Sequence, residues 1–271
     1  MSIRIPLFGV KTLFPRRRSG GGGTIPAAIA HRIAAAVRAL ADGAPVVLVC
    51  TDRADAVEAE LICSAGAVST TTMEFLVRHT SGFVTIALPW AECDRLGLPP
   101  MHYATGGVEY AVSVDAIDGV GTGISAHDRA VTSRALADPT SQREGFTRPG
   151  HTVPIRTATG GVLERPHRAE AALELTREAD QIPAAVMATL VGVVDDRRMA
   201  DLAEAVDFAD RHQLVWVTVS EVHQWRTTMA GRSAPTAAGF PGAGEEIRDL
   251  DCARRTRRDK ATTAAGPSSG R

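Results

Sequence analysis

Apolar segments of helical and strand type alternate along most of this chain, and that alternation limits its fold more than any other feature. Apolar residues recur at helical spacing from Ile29 to Leu40, and the short apolar run at 46–49 then predicts a buried strand. Segments of the same two kinds continue as far as Trp225, with helices predicted at 69–79, 128–137, 170–179 and 201–212 and strands at 82–88, 110–114, 184–193 and 214–219. We therefore predict a single α/β domain of the layered α+β kind, in which helices cover a mixed, twisted sheet.

The two ends of the chain differ in composition from this middle part. Residues 1–24 contain no Asp or Glu and include the run Arg16-Arg17-Arg18, which predicts a disordered basic leader. Residues 227–271 are dominated by Gly, Ala, Pro, Ser, Thr and Arg and lack apolar periodicity, which predicts a disordered low-complexity tail. The folded domain is accordingly predicted at 25–226.

Charge and cysteine content exclude several classes of protein. The chain has 30 basic and 31 acidic residues, a balance that argues against binding to nucleic acid or to an anionic membrane. No apolar run approaches the ~20 residues of a membrane span. The cysteines form no CxxC pair and lack metal-ligand spacing, so we expect reduced thiols in a cytoplasmic protein; they are Cys50, Cys63, Cys93 and Cys252.

Three polar, glycine-rich segments are candidates for a binding site. In the segment 119–129, Ser125 precedes a helix whose first N–H groups are available to an anion, although such loops are usually only turns and N-caps. The segment 147–154 contains Arg148 and His151, which suit a phosphate or a metal but also occur together in surface turns. The segment 160–170 ends at Glu170, either a base or a favourable charge in the first turn of a helix.

In this order and at this spacing, the three segments resemble the 3,4-dihydroxy-2-butanone 4-phosphate synthases of riboflavin biosynthesis. The resemblance runs from Val46 to Trp225. It is carried by 93–98, by Gly121-Thr122-Gly123-Ile124-Ser125-Ala126 with Asp128-Arg129, by 147–151 and by 160–163. Some relatives also carry a GTP cyclohydrolase II domain with a zinc-binding cysteine cluster; only one cysteine follows Trp225 here, so we do not expect that second activity.

The resemblance implies a lyase that depends on Mg²⁺ or Mn²⁺ and converts ribulose 5-phosphate into 3,4-dihydroxy-2-butanone 4-phosphate and formate. It also implies a homodimer whose ligand is a small sugar phosphate. By position, His151 is the implied metal ligand, and Glu170 and Arg134 are the implied catalytic residues. The implied substrate-binding residues are Glu60, Thr122, Ser125, Arg148, Pro149, Gly150, His151 and Thr152.

The chain departs from the family pattern where the metal and the proton transfers depend on side chains. The family's metal-binding Glu falls on Ala54 or on Ala56, according to the register chosen, and Glu58 is the nearest weak substitute. Arg168-Ala169 replaces the His-Thr before Glu170, and Thr85 and Thr189 replace a Cys and a Glu. Losses of this kind commonly cost ~100-fold each. We therefore predict an impaired synthase, or alternatively a catalytically inactive paralogue that keeps a sugar-phosphate site.

Overall fold

A single mixed sheet runs through the computed structural model, which describes residues 25–53, 56–101, 108–193 and 195–230. Its strands are β1 (Val46–Arg53), β2 (Ala56–Ser64), β3 (Thr85–Pro89), β4 (Glu109–Tyr110), β5 (Val114–Ala116), β6 (Phe146–Thr157), β7 (Ala185–Thr189) and β8 (Trp216–Thr218). They lie in the order β4-β6-β3-β7-β2-β1-β8, and β5 pairs with β6 outside this path. The pairs β1–β8 and β3–β6 are parallel, and the others are antiparallel.

Helices cover both faces of this sheet. They are α1 (Ala27–Ala41), α2 (Thr70–His79), α3 (Trp90–Arg95), α4 (Ala126–Ala137), α5 (Arg168–Glu178), α6 (Leu202–His212) and α7 (Val219–Ala230). One apolar core lies between the sheet and α2, α4 and α6, and a second lies between the sheet and α1, α5 and α7. The predicted layered α/β fold with a mixed sheet is therefore confirmed. No helix within the described ranges is both long and apolar enough to cross a bilayer.

Side-chain caps set several helix starts close to where the sequence predicts them. Ser125 caps α4 by accepting a hydrogen bond from the backbone N–H of Asp128 (3.0 Å). Ser69 caps α2 in the same way, and Asp201 begins α6 with a capping box that includes Glu204. All three capped helices cover the same face of the sheet.

Several elements differ from the prediction. The strand expected at 110–114 is divided into β4 and β5, and the sequence pattern does not predict β2, β6, α3 or α7. Helix α7 continues to Ala230, four residues beyond the predicted boundary at 226, and Met229 packs against the core. The predicted leader, the rest of the predicted tail and Cys252 lie outside the described residues. Cys50, Cys63 and Cys93 are buried, and none of these three forms a disulfide within the described residues.

Candidate active site

His151 is fixed by a buried carboxylate that comes from a different strand. Its Nδ1 lies 2.7 Å from Oδ2 of Asp115, and its backbone N–H donates to Oδ1 of the same residue (2.9 Å). Asp115 is 7% exposed, whereas the side chain of His151 is 41% exposed. Because an ionised carboxylate only accepts hydrogen bonds, Nδ1 carries a proton in this pair. The opposite ring nitrogen, Nε2, then carries no proton and can accept a hydrogen bond or bind a cation.

The glycine-rich loop before α4 packs directly on this pair. Gly123 adopts a φ of +84°, and a Cβ added there would come within 2.0 Å of Oδ2 of Asp115 and 2.7 Å of Nδ1 of His151. Its backbone N–H donates to Oδ2 of Asp128 (3.0 Å), which is itself buried. Backbone hydrogen bonds lower the pKa of the Asp128 carboxyl. The loop therefore requires glycine at position 123, as close approach of backbone to a site often does.

Two residues predicted to bind substrate, Thr122 and Ser125, lie in this loop with exposed side chains. Ser125 Oγ serves as the cap of α4, so the helix begins beside the Asp115–His151 pair. Arg129, in the next turn of α4, is buried and donates to the carbonyl of Gly82 (2.6 Å). Burial lowers the pKa of Arg129, and the charge of Asp115 acts in the opposite direction. The negative charge of Asp115 is thus balanced within the fold.

A second set of contacts joins Glu58 and Glu60 to Arg168, on the face of the sheet that α1, α5 and α7 cover. The two carboxylates are two residues apart on β2 and therefore point to the same face. Arg168 is the first residue of α5, and its NH1 forms an ion pair with Glu58. Its Nε lies 3.1 Å from Oε1 of Glu60, and its NH2 donates to the hydroxyl of Tyr110 (3.1 Å). One guanidinium thus lies against both candidate carboxylates.

Burial dominates the electrostatics of this second set. It raises the pKa of Glu60 to about 8, while the hydrogen bond that Thr189 donates to Glu60 (2.9 Å) acts in the opposite direction. The positive charge of Arg168 also favours the ionised carboxylate. Burial lowers the pKa of Arg168, against an opposing effect of Cys50, and raises the pKa of Tyr110. The charge on Glu60 therefore depends on its guanidinium partner.

The sheet register relates these two sets of residues. Glu60 on β2 is opposite Thr189 on β7. Two residues along β7, Met187 is opposite Thr85 on β3, and Thr85 is in turn opposite Val153 on β6. The register of β3 with β7 and β6 begins at Thr85; before it, the backbone N–H of Ser81 donates to the carbonyl of Thr189 (2.9 Å). The side chains of Glu60 and His151 share a face, since His151 is four residues before Ile155, whose side chain lies in the core under α5. The strands β3 and β7 lie between β6 and β2, so three strand spacings, or about 14 Å, separate the strand of His151 from the strand of Glu60.

Glu170, a predicted catalytic residue, belongs to a third set of contacts. Its buried carboxylate accepts hydrogen bonds from the backbone N–H of Ala158 (2.9 Å) and from Nε of Arg165 (2.7 Å), and Oε2 has no hydrogen-bond partner among the described residues. It lines a cleft of about 190 Å³ beside Trp90. Residues 151 and 158 are separated by seven positions, roughly 23 Å of extended chain. The structure therefore does not bring Glu170 together with His151.

The guanidinium of Arg148 is directed at backbone carbonyls. Its NH2 donates to Leu96 (2.7 Å), and its NH1 donates to Phe146 (2.9 Å) and to Arg143 (3.0 Å). These bonds tie the start of β6 to the residue that follows α3. The predicted role of Arg148 toward phosphate stays a prediction, because these contacts join its side chain to backbone carbonyls.

The remaining predicted residues lie around β6 or on the other helix layer. Gly150 lies directly against β5, where an added Cβ would come within 2.0 Å of the carbonyl carbon of Val114, and Pro149 beside it is exposed. Thr152 is fully buried. Arg134 lies on α4 and donates to the carbonyl of Val68 (2.7 Å). The two predicted catalytic residues, Glu170 and Arg134, therefore lie on helices that cover opposite faces of the sheet.

Comparison with known proteins identifies the family. The family model described as 3,4-dihydroxy-2-butanone 4-phosphate synthase matches residues 34–225. This chain belongs to that family.

Relatives and solved structures of the same family agree with this assignment. The chain is 47% identical over 195 residues to the riboflavin biosynthesis protein RibBA of Rhodococcus jostii (strain RHA1), a match that covers 70% of this chain and 46% of that protein. It is 46% identical over 200 residues to RibBA of Mycobacterium avium (strain 104), covering 72% and 47%. The chain thus spans about half the length of these curated relatives.

Two solved structures of synthases have the same fold over nearly their whole length. One, in complex with two magnesium ions, is 37% identical, with a TM-score of 0.67 over 74% of this chain and 99% of that one. The other, from Candida albicans, is 33% identical, with a TM-score of 0.66 over 72% of this chain and 96% of that one.

The described residues of this synthase-family domain do not fit a divalent metal held by several side chains. His151 suits a ligand role, because a carboxylate on the far ring nitrogen commonly orients a metal-binding histidine. Glu58 and Glu60, however, lie against Arg168, on a strand three spacings, or about 14 Å, from the strand of His151. Within the described ranges no group of three or more His, Cys, Asp or Glu is arranged to hold a metal ion. Position 56 is alanine, and residues 54 and 55 lie outside these ranges.

Sequence reasoning missed Asp115 and did not foresee the ion pairs of Arg168. Asp115 lies between the buried residues Val114 and Ala116 in a short strand. A carboxylate in such a place needs a partner, and that was the available signal. The partner itself is 36 positions away, so local sequence pattern does not identify it.

Proposed function

We propose that this domain carries out the reaction of its family, the conversion of ribulose 5-phosphate into 3,4-dihydroxy-2-butanone 4-phosphate and formate. The observation that carries this proposal is the Asp115–His151 pair, which lies in the segment 147–151 that resembles the family and is covered by its glycine-rich loop. Further support comes from the identity of 37% to a synthase structure over 99% of that chain.

The residues present suit the proton transfers that this reaction needs. The five carbons of the substrate are divided into a four-carbon product and formate without any co-reactant, so the chemistry consists of moving protons and rearranging carbon bonds. With its Nδ1–H donating a hydrogen bond to Asp115, His151 has an unprotonated Nε2 that can act as a base. In the second set of contacts, the guanidinium of Arg168 and the hydroxyl of Tyr110 supply positive charge and a hydrogen-bonding group.

The direct test measures formate released from ribulose 5-phosphate in the presence of Mg²⁺. The variant His151→Asn removes the proposed base, and His31→Asn changes an exposed histidine on α1 as a matched control. We expect release by the wild-type protein and by the His31 variant, with a loss of at least ~100-fold in the His151 variant. Absence of formate from all three proteins would contradict the proposed reaction.

A second function, binding of a sugar phosphate without turnover, is favoured by one specific observation. Arg168 pairs with both Glu58 and Glu60, so the two carboxylates nearest to the expected metal position already have a cationic partner. A protein of this kind would still bind ribulose 5-phosphate after EDTA treatment, through positive charge and backbone N–H groups. Titration calorimetry in EDTA, combined with the formate assay, separates the two functions: binding without formate supports the second, and formate release supports the first.

A further inference from the structure

We infer that Arg168 is a built-in cation that occupies the carboxylate pair Glu58 and Glu60 and thereby keeps a divalent metal ion from binding to them. The inference concerns metal binding alone and does not depend on whether the domain turns over ribulose 5-phosphate.

The geometry of the three side chains supports an internal ion cluster. Arg168 is 12% exposed and Glu60 is 2% exposed, so neither charge is solvated by bulk water. A buried carboxylate needs a partner of opposite charge, and Arg168 contacts Glu58 as well as Glu60. The planar guanidinium suits this position because it presents several N–H groups to neighbouring oxygens at once.

Neighbouring groups hold the guanidinium at this position. Arg168 begins α5, which packs on β2, so the backbone of the helix fixes where its side chain starts. Its NH2 donates to the hydroxyl of Tyr110, and Thr189 occupies Oε1 of Glu60 with a second hydrogen bond. Every member of the cluster therefore has a polar partner without a metal ion.

A divalent cation would have to displace this arrangement. Mg²⁺ requires about six oxygen ligands in near-octahedral geometry, and it would meet the positive charge of Arg168 within the same cluster. A side chain without charge at position 168 would leave Glu58 and Glu60 side by side on one face of β2, with like charges and no cationic partner. In that state the pair would attract a cation from solution. The identity of residue 168 thus decides whether these carboxylates bind metal.

The experiment compares Mg²⁺ binding by titration calorimetry at pH 8.5 in four proteins. They are the wild type, Arg168→Lys, Arg168→Met and the double variant Arg168→Met/Glu60→Gln. Methionine fills a similar volume without charge, and lysine retains the charge. We expect Arg168→Met to bind Mg²⁺ at least tenfold more tightly than the wild type, Arg168→Lys to resemble the wild type, and the double variant to lose the gain.

If circular dichroism shows that Arg168→Met does not fold, a variant that keeps Arg168 still tests the inference. The variant Glu58→Gln should leave the Mg²⁺ affinity of the wild-type protein unchanged, because Glu58 is occupied by Arg168. A fall of tenfold or more in that variant would show that Glu58 already binds metal and would overturn the inference. A folded Arg168→Met protein that binds Mg²⁺ no better than the wild type would overturn it as well.

Discussion

The ring of His151 is oriented by Asp115, whose two carboxylate oxygens accept from Nδ1 at 2.7 Å and from the backbone N–H of the same histidine at 2.9 Å. One buried carboxylate therefore fixes both the tautomer and the position of the imidazole. The pair lies on two neighbouring strands, β5 and β6, at a point where their register shifts. The tautomer of His151 therefore depends on the fold and can be measured.

The variant Asp115→Asn should change the tautomer of His151. An amide can present N–H to the ring, so Nδ1 would become an acceptor and Nε2 would carry the proton. The variant also removes the negative charge that stabilises the buried guanidinium of Arg129. We expect the free energy of unfolding to fall by about 1–3 kcal/mol. Nitrogen-15 NMR of labelled histidine rings measures the tautomer, and urea denaturation measures the stability. An unchanged ring spectrum would contradict the assigned role of Asp115.

The variant Gly123→Ala should be much more destabilising than Gly82→Ala. Both glycines adopt positive φ, +84° and +70°, so both variants carry a similar backbone cost of about 1 kcal/mol. Only at position 123 would the new Cβ collide, with Asp115 and His151, whereas nothing lies within 4 Å of it at position 82. We expect an additional loss of about 2 kcal/mol or more at position 123. Equal losses in urea denaturation of the two variants would show that the loop can move away from the pair.

Local sequence pattern was sufficient for the elements whose signals are local. Helices are predicted to start at residues 69 and 201, and in the structure Ser69 caps α2 and Asp201 caps α6 with a capping box that includes Glu204. Alternation of helices and strands predicts that helices are layered on a mixed sheet. It does not predict the order of the strands in that sheet.

Two of the strands that sequence analysis missed, β2 and β6, carry candidate site residues inside regular structure. Strand β2 carries Glu58 and Glu60 on a buried face, and charged residues there break the apolar pattern by which strands are recognised. Strand β6 includes Arg148-Pro149-Gly150, which predicts a turn on local rules. Contacts between positions 110 apart in sequence, such as Glu58 with Arg168, depend on tertiary packing and have no local signal.

Stability should fall on acidification because of His79 and His212. Their ring centroids are 4.9 Å apart on α2 and α6, and burial lowers the pKa of both below the ordinary value of 6.5, with the charge of His212 adding to the effect on His79. Between pH 6.5 and the lower folded-state pKa, the unfolded chain binds more protons than the folded protein, so the stabilising contribution present above pH 6.5 is lost as the pH falls.

The measurement for the histidine pair is the melting temperature between pH 7.5 and pH 5. The variant His79→Gln/His212→Gln should show a smaller decrease over this range than the wild-type protein. His31→Gln, which changes an exposed histidine on α1, should retain the wild-type decrease. Parallel curves for the double variant and the wild type would exclude this pair as the source of the pH dependence.

Glu170 and Arg165 should be coupled in stability, because the buried carboxylate of Glu170 accepts from the Nε of Arg165 at 2.7 Å and from the backbone N–H of Ala158 at 2.9 Å. Arg165→Met leaves a buried charge without this partner and should cost about 3–5 kcal/mol. Glu170→Gln keeps the shape and part of the hydrogen bonding and should cost about 1–3 kcal/mol.

A double-mutant cycle on this pair distinguishes a structural role of Glu170 from a purely catalytic one. Urea denaturation of the two single variants and the double variant should give a coupling energy of about 1–3 kcal/mol. The exposed pair Glu74–Arg78 on α2, with its ion pair of 2.6 Å, provides the matched control and should give about 0.3–0.5 kcal/mol. If Glu170 acts only on a bound substrate, Glu170→Gln would reduce formate release without changing the free energy of unfolding, and its coupling to Arg165 would not exceed that of the control pair. Coupling well above the control would instead mean that Glu170 holds the turn after β6 against α5, whatever it contributes to chemistry.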